Sequence, residues 1–357
     1  MGATLRWADN REGGIVRPAI RVGLVGYGFA GREIHAGLLA AAGLPVTVVS
    51  TSHPDRRAAA LAEQPDAVVV ADLDALLRLA DRVDVVVLAS PTGAHAEQAM
   101  ACLDAGLPVV VDKPLGVDAA QAATIVAHAE RVGGRLTVFQ NRRWDAEQLT
   151  LRRLLAEGAI GEVLRFERRW ERWRPVPKDR WRENAAAADG GGVLLDLHSH
   201  LVDSAIELFG PVTQVYAELA ARTTFAEDDA FLALTHAGGV RSHLGALSLA
   251  AAPGPRTRVL GSTGAYVVAT FEQEITAFAS LADTDDEHTG WLVRGESREP
   301  VRRAPGEHAD FYRQAADWVR GEATAPVDPA DAVQVLRVLD AARVSARDGA
   351  VVPLTPR

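Results

Sequence analysis

The chain settles into regular texture after its first eighteen residues. From 19 to 141, short apolar runs alternate with stretches whose apolar residues recur three or four apart. The runs 20–25, 46–50, 68–70, 83–89, 109–112 and 136–139 predict strands. Several are nearly continuous valine, as expected of parallel strands covered by helices on both faces. Between them, 32–42, 72–80, 95–105 and 118–132 predict helices. This alternation predicts an α/β, doubly wound parallel sheet.

After 141 the texture changes. A helix is predicted over 146–157, then strands over 163–173, 212–220, 230–236, 240–250, 256–260 and 265–270. Their short spacing predicts a large, mostly antiparallel open sheet. Helices over 193–209, 307–321 and 328–348 complete an α+β region. The expected division is therefore 1–18, 19–141 and 142–357. Residues 1–18 carry Arg6, Asp9, Arg11 and Glu12 with no apolar stretch, which reads as a poorly ordered extension and not a signal peptide. Residues 185–192 are rich in small side chains and predict a mobile loop.

Composition narrows the partners. At 357 residues, two domains are expected. Hydrophobic residues at 48% and charged residues at 24% are an ordinary globular balance. A formal charge of −9 argues against nucleic acid or an anionic membrane as partner, though an anionic cofactor needs only local positive charge. The single cysteine, Cys102, excludes an internal disulfide framework and fits a cytoplasmic, reducing setting; it reads as a packing residue. No apolar run reaches the ~18–20 residues of a membrane span.

Between the strand at 20–25 and the following helix lies Gly26-Tyr27-Gly28-Phe29-Ala30-Gly31. In this Gly-x-Gly-x-x-Gly pattern the first glycine permits a tight turn. The second lets backbone approach a pyrophosphate at the helix N-terminus. The alternative is a tight turn that binds nothing. The second strand ends in Ser50-Thr51-Ser52, with Arg56 and Arg57 beyond and no carboxylate at its tip. Small hydroxyls beside an arginine suit a 2′-phosphate, so NADP is favoured over NAD. Both arginines could instead face solvent at the start of the next helix. Ser90, Pro91 and Thr92 follow the fourth strand and could line the nicotinamide end, and His95 starts the helix beside them.

Asp112-Lys113-Pro114 closes the apolar run at 109–112. A lysine at the carboxyl end of a strand sits where open α/β sheets bind ligands, and it can polarise a substrate hydroxyl. Its alternative is a surface pair with Asp112. Further on, Asp196 and His200 are four apart on a predicted helix and share a face, with Asp203 on the same stripe. A carbonyl–carbinol interconversion needs one proton taken and returned, which histidine does near neutral pH. An internal Asp196–His200 pair, or a metal held with His198, are the alternatives; His198 and His200 point apart on a helix, which disfavours a shared metal.

These motifs together resemble the glucose–fructose oxidoreductase/inositol dehydrogenase (Gfo/Idh/MocA) family over nearly the whole chain. The carriers are the glycine loop, Asp112-Lys113-Pro114, Gly158-Ala159-Ile160-Gly161-Glu162-Val163, Gly190-Gly191-Gly192 with Asp196 and His200, and Gly261-Ser262-Thr263-Gly264. The resemblance implies an N-terminal Rossmann domain and a C-terminal domain whose open sheet mediates a homodimer or homotetramer. It implies that Lys113, Asp196 and His200 correspond to the family's catalytic lysine, aspartate and histidine. The family more often has glutamate where this chain has Asp112. Phe139-Gln140-Asn141-Arg142-Arg143-Trp144-Asp145, Asp179-Arg180-Trp181-Arg182-Glu183 and the hydroxyl-rich strand tip look like the NADP-dependent scyllo-inositol dehydrogenases. Leu197-His198-Ser199 after Asp196, and the Arg- and Trp-rich stretch 168–181, depart from that pattern.

The expected protein is thus an NADP-dependent oxidoreductase acting on a secondary hydroxyl of a cyclic polyol or sugar. His200 accepts the proton, Lys113 polarises the oxygen, and Asp196 orients the ring. Asn141, Arg142, Trp144, Trp181 and Tyr312 are candidates for the substrate wall; Arg142 could equally be an ion-pair partner and Tyr312 a packing residue. Two other classes stay open: a dinucleotide-sensing protein without catalysis, and a hydrolase or lyase that oxidises the sugar transiently and regenerates its cofactor.

Overall fold

The computed structural model describes residues 18–177, 184–186, 190–269 and 285–355. The extension at 1–17, the 179–183 segment with Trp181, and part of the loop at 185–192 lie outside the described residues.

The first sheet is six-stranded: β1 (Val22–Val25), β2 (Val46–Ser50), β3 (Val68–Val70), β4 (Val85–Leu88), β5 (Val109–Asp112) and β6 (Leu136–Phe139). Their order is β3-β2-β1-β4-β5-β6 and every pairing is parallel. β1, β4, β5 and β6 are buried at every position, which explains their unbroken apolar sequence. A π-helical segment, Ala30–Ala36, leads into α1 (Gly37–Ala41). α2 (Pro54–Glu63), α3 (Leu73–Leu77), α4 (His95–Asp104) and α5 (Ala119–Val132) follow. α5 starts where Asp118 accepts the Gln121 N–H at 2.7 Å and ends at left-handed Gly133.

The second sheet is built from β7 (Val163–Glu171), β8 (Val212–Ala220), β9 (Asp229–His236), β10 (Arg241–Leu247), β11 (Thr257–Gly261), β12 (Ala265–Val268), β13 (His288–Arg294), β14 (Ser297–Arg302) and β15 (Val352–Pro353). Its order is β14-β13-β12-β11-β7-β10-β9-β8-β15, antiparallel except for the central β7–β10 pair. β13, β14 and β15 extend the sheet beyond the strands that sequence patterning predicts. β14 is exposed at nearly every position, so it carries no alternation to read. β9 alternates buried and half-buried residues, so only one face packs on the core.

α6 (Ala146–Ala156) lies between the two sheets in sequence, and α7 (Ser199–Phe209) between β7 and β8, with a second π-helical segment, Leu194–His198, running into α7. The helix predicted over 193–209 is therefore not α-helical in its first part. α8 (Ala309–Arg320) and α9 (Pro329–Asp348) end the chain. α8 belongs in sequence to the second half, yet Phe311, Tyr312 and Trp318 join the core on one face of the first sheet. α9 shares one continuous core with α5 and the second sheet. No helix among the described residues is long and apolar enough to cross a membrane.

Candidate active site

Strand order reverses between β1 and β4, and such a reversal opens a crevice at the carboxyl ends of the strands. Val25 is in register with both Ser50 and Leu88, and Leu88 with Val111, so the loops after β1, β2, β4 and β5 meet along one edge. Gly26, Ser50, Ser90 and Lys113 are thereby gathered on that edge. The Gly26 N–H donates to Ser50 O at 2.9 Å.

The glycines at this turn are sterically required. Gly26 has φ +93°, and a Cβ there would stand 2.7 Å from Ala89 O. A Cβ on Gly31 would stand 2.0 Å from Gly26 O. At Gly28 the nearest group is the Arg56 guanidinium, 3.6 Å from a notional Cβ. Arg56 thus lies over the loop where a dinucleotide's phosphates would approach. The residues present fit such a cofactor: an open backbone cradle, a helix start and a cation above it.

The remaining cofactor candidates are placed as follows. Tyr27 is buried, its hydroxyl donating to Glu63 Oε2 at 3.1 Å, whereas Phe29 is 72% exposed. Ala30 is half-buried, Ser50 and Thr51 are buried, and Ser52 and Arg56 are exposed. Ser90 Oγ donates to Gln98 Oε1 at 2.5 Å; Pro91 is exposed and Thr92 buried. His95 is buried, with Nδ1 2.9 Å from Pro114 O and Nε2 3.0 Å from Ser90 O. Burial pushes its pKa down. Its ring ties the β4 loop to the lysine loop and is spent on backbone.

The Lys113–Pro114 peptide is cis. Asp112 is buried and accepts the Lys113 N–H at 2.8 Å. The sequence alternative of a surface Asp112–Lys113 pair is thus replaced by a side chain-to-backbone bond. Burial raises the Asp112 pKa, but His35, Lys113 and His95 outweigh it and leave it below the ordinary carboxylate value. The Lys113 ammonium crosses to the second half of the chain, donating to Asp196 Oδ1 at 3.0 Å and Asp196 O at 2.6 Å. Asp196 lies inside the π-helical segment, whose wider turn shifts the backbone pairing. Its carbonyl also accepts from Ser199 Oγ at 3.2 Å. His200 is 7% exposed, its ring centroid 5.9 Å from that of Trp170.

A cleft opens at Asp196, lined also by Trp170, Arg172, Thr223, Glu227 and Ser248. Burial pushes the Glu227 carboxyl pKa up. Sequence reasoning did not select Trp170, Arg172 or Glu227. Trp170 and Arg172 fall in a stretch noted only for its Arg and Trp content, and Glu227 sits in a loop without a motif.

The proposed substrate wall is dispersed. The Arg142 guanidinium stacks 5.0 Å from the Trp170 ring centre and pairs with Asp145 at 3.4 Å. Asn141 is buried, its amide 3.5 Å from His308 Nδ1. Trp144 packs edge-on against Phe311. Tyr312 does not reach a cleft: it is 1% exposed, because its ring stacks on Phe139 and its hydroxyl meets His35 Nδ1 at 2.5 Å. Asp203 turns away to Arg143, its oxygens 2.7 and 2.9 Å from the guanidinium, and belongs to a buried structural pair. His198 is fully buried beside Leu244 O, and burial holds its pKa down to about 4. Among the described residues no group of three or more His, Cys, Asp or Glu is arranged to hold a metal ion. Burial raises the Cys102 thiol to about 12, as for an inert packing residue.

A dinucleotide cradle at the switch point of a parallel sheet, beside a strand-end lysine that contacts an aspartate on a helical segment from the second half of the chain, defines a nicotinamide-cofactor oxidoreductase. The chain belongs to the Gfo/Idh/MocA oxidoreductase family. Residues 20–140 match the oxidoreductase family with an NAD-binding Rossmann fold, and 148–267 the GFO/IDH/MocA C-terminal domain. The uncharacterized oxidoreductase YdgJ of Escherichia coli is 37% identical, over 94% of this chain and 99% of that one. The scyllo-inositol 2-dehydrogenase (NADP(+)) IolW of Bacillus subtilis is 30% identical, over 92% and 94%. Among solved structures, the WlbA dehydrogenase from Bordetella pertussis, in complex with NADH and UDP-GlcNAcA, superposes with a TM-score of 0.76 at 27% identity, over 95% of this chain and all of that one.

Proposed function

We propose that this oxidoreductase interconverts a secondary hydroxyl and a ketone on a cyclic polyol or sugar, with NADP as its cofactor. The contact between Lys113 Nζ and Asp196 Oδ1 carries the reading, because it joins the lysine of the cofactor-side strand to the carboxylate lining the cleft. The inositol activity named for IolW supports the substrate class. Relatives bind either dinucleotide, so the preference rests on this chain's own strand tip: hydroxyls at Ser50, Thr51 and Ser52 with Arg56 over Gly28.

The bound nicotinamide supplies the hydride acceptor in the oxidative direction. Lys113 Nζ hydrogen-bonds the substrate oxygen and stabilises its developing negative charge. His200 takes the hydroxyl proton on an imidazole nitrogen and returns it in reduction. Asp196 accepts from a substrate hydroxyl and holds Lys113 on line. The half-exposed face of the second sheet fits a contact between copies of the chain, which light scattering on the purified protein measures.

The test is a turnover screen over inositols, aldoses and ketosugars with each cofactor. Turnover of a cyclic polyol with NADP, and a loss of NADP preference of about tenfold in Arg56→Ala, are expected. A clear preference for NAD overturns the cofactor assignment. Absence of turnover on every sugar overturns the substrate class.

A further inference from the structure

Beneath Lys113 lies a chain of polar groups that the proposed chemistry does not use. His35, in the π-helical segment after the glycine loop, is 0% exposed. Its Nδ1 is 2.5 Å from the Tyr312 hydroxyl of α8, and its Nε2 is 3.7 Å from Asp112 Oδ2. The other Asp112 oxygen receives the Lys113 N–H at 2.8 Å. Phe139 closes the space, its ring centroid 4.4 Å from that of His35. Burial and the nearby Asp112 push the Tyr312 pKa well above 10. Tyr312 therefore stays protonated, and with its hydroxyl donating to Nδ1 the proton of a neutral ring sits on Nε2, the nitrogen that faces the carboxylate at 3.7 Å. The titratable groups around Asp112 are His35 after the glycine loop, His95 of α4, Tyr312 of α8 and Lys113 itself.

We propose that His35, fixed by Tyr312, is a positioning residue that holds the Asp112 carboxylate in the orientation that anchors the Lys113 backbone. One carboxylate oxygen accepts the lysine's own N–H, and the other faces the imidazole Nε2 at 3.7 Å, an electrostatic contact longer than a hydrogen bond. A buried carboxylate with one side released would turn, and the ammonium would lose its line to Asp196. Because His35 lies in the segment that follows the cofactor cradle, the same ring ties cradle geometry to lysine geometry. This inference rests on the proposed role of Lys113.

The experiment compares His35→Leu, His35→Gln and Tyr312→Phe in the full chain. It reads kcat against pH, NADP affinity, and NMR hydrogen exchange of the Lys113 amide. In His35→Leu, kcat is expected to fall roughly tenfold, because the ammonium loses its fixed line to the reacting oxygen. The pH profile shifts, amide exchange speeds up at least tenfold, and NADP affinity stays within about threefold, the inorganic phosphate of the buffer held constant. His35→Gln, which keeps a donor toward Asp112, recovers part of the loss. Tyr312→Phe, which removes one oxygen and no packing, shows the same changes more weakly. Unchanged amide exchange and pH profile in both His35→Leu and Tyr312→Phe overturns the inference. So does an equal loss of kcat and NADP affinity that His35→Gln fails to relieve. Retained activity in Lys113→Ala defeats the proposed function instead, which separates the two failures.

Discussion

Lys113 Nζ meets Asp196 twice, at the carboxylate and at the backbone carbonyl. One contact constrains a side chain and the other a helix turn, so the lysine sets the place of the turn that runs into the helix carrying His200. Lys113→Met removes both. The expected result is a loss of kcat/KM of about a hundredfold or more, with dinucleotide affinity nearly unchanged. Steady-state kinetics with fluorescence titration of the cofactor checks it, and activity within threefold of the original chain contradicts it.

Two glycines near the start of the first helix predict opposite outcomes. Gly31→Ala drives a Cβ into the Gly26 carbonyl, backbone against backbone. It is expected to cost more than about 2 kcal/mol and to abolish dinucleotide binding. Gly37→Ala meets nothing within 4 Å at a helical φ of −64°, and is expected to stabilise by about 0.5–1 kcal/mol. Thermal melts of the two variants give the signs directly.

Arg143 sits between Asp203 and Asp331, with Asp203 2% exposed. Burial opposes the Arg143 charge, but the two carboxylates outweigh it and raise its pKa. Arg143→Met strands the Asp203 charge and is expected to cost about 3–5 kcal/mol. Asp203→Leu added to it is expected to restore most of the loss. Urea denaturation of the single and double variants decides the matter.

His198 predicts an acid-side slope. Its folded pKa of about 4 lies below the ordinary 6.5, so the unfolded chain binds the proton more readily. The stability it contributes is complete above about pH 6.5 and is lost as pH falls toward 4, amounting to roughly 3 kcal/mol. His198→Gln is expected to flatten that part of the stability–pH curve. An unchanged slope would falsify this account of the buried imidazole.

Much of this was readable in advance where a local rule governs. Valine runs, the glycine loop and the strand-end lysine are local patterns, and they gave the first sheet and one side of the site. Asp196 and His200 were selected by a four-residue spacing, yet they lie across a π-to-α junction that no periodicity reveals. Tyr312 was unreadable for another reason. Its place depends on α8 crossing to the first sheet, and an aromatic on a helix looks the same wherever it packs. Trp181 lies outside the described residues. β14 escaped because an exposed edge strand has no buried face to alternate against, and β13 because its residues are half-buried at nearly every position and show no alternation.

α9 gives the molecule an order of assembly. The Asp340 carboxylate accepts the Ala119 N–H across 221 residues, and the same helix packs beneath the second sheet. During synthesis, α5 must therefore wait for nearly the whole remainder of the chain before its outer face is covered. The first sheet emerges early but incomplete, with apolar surface on one face that α8 closes and on the outer side of α5 that α9 closes. Such a protein is expected to fold late and as one unit, and to depend on protection of that face while the ribosome is still at work.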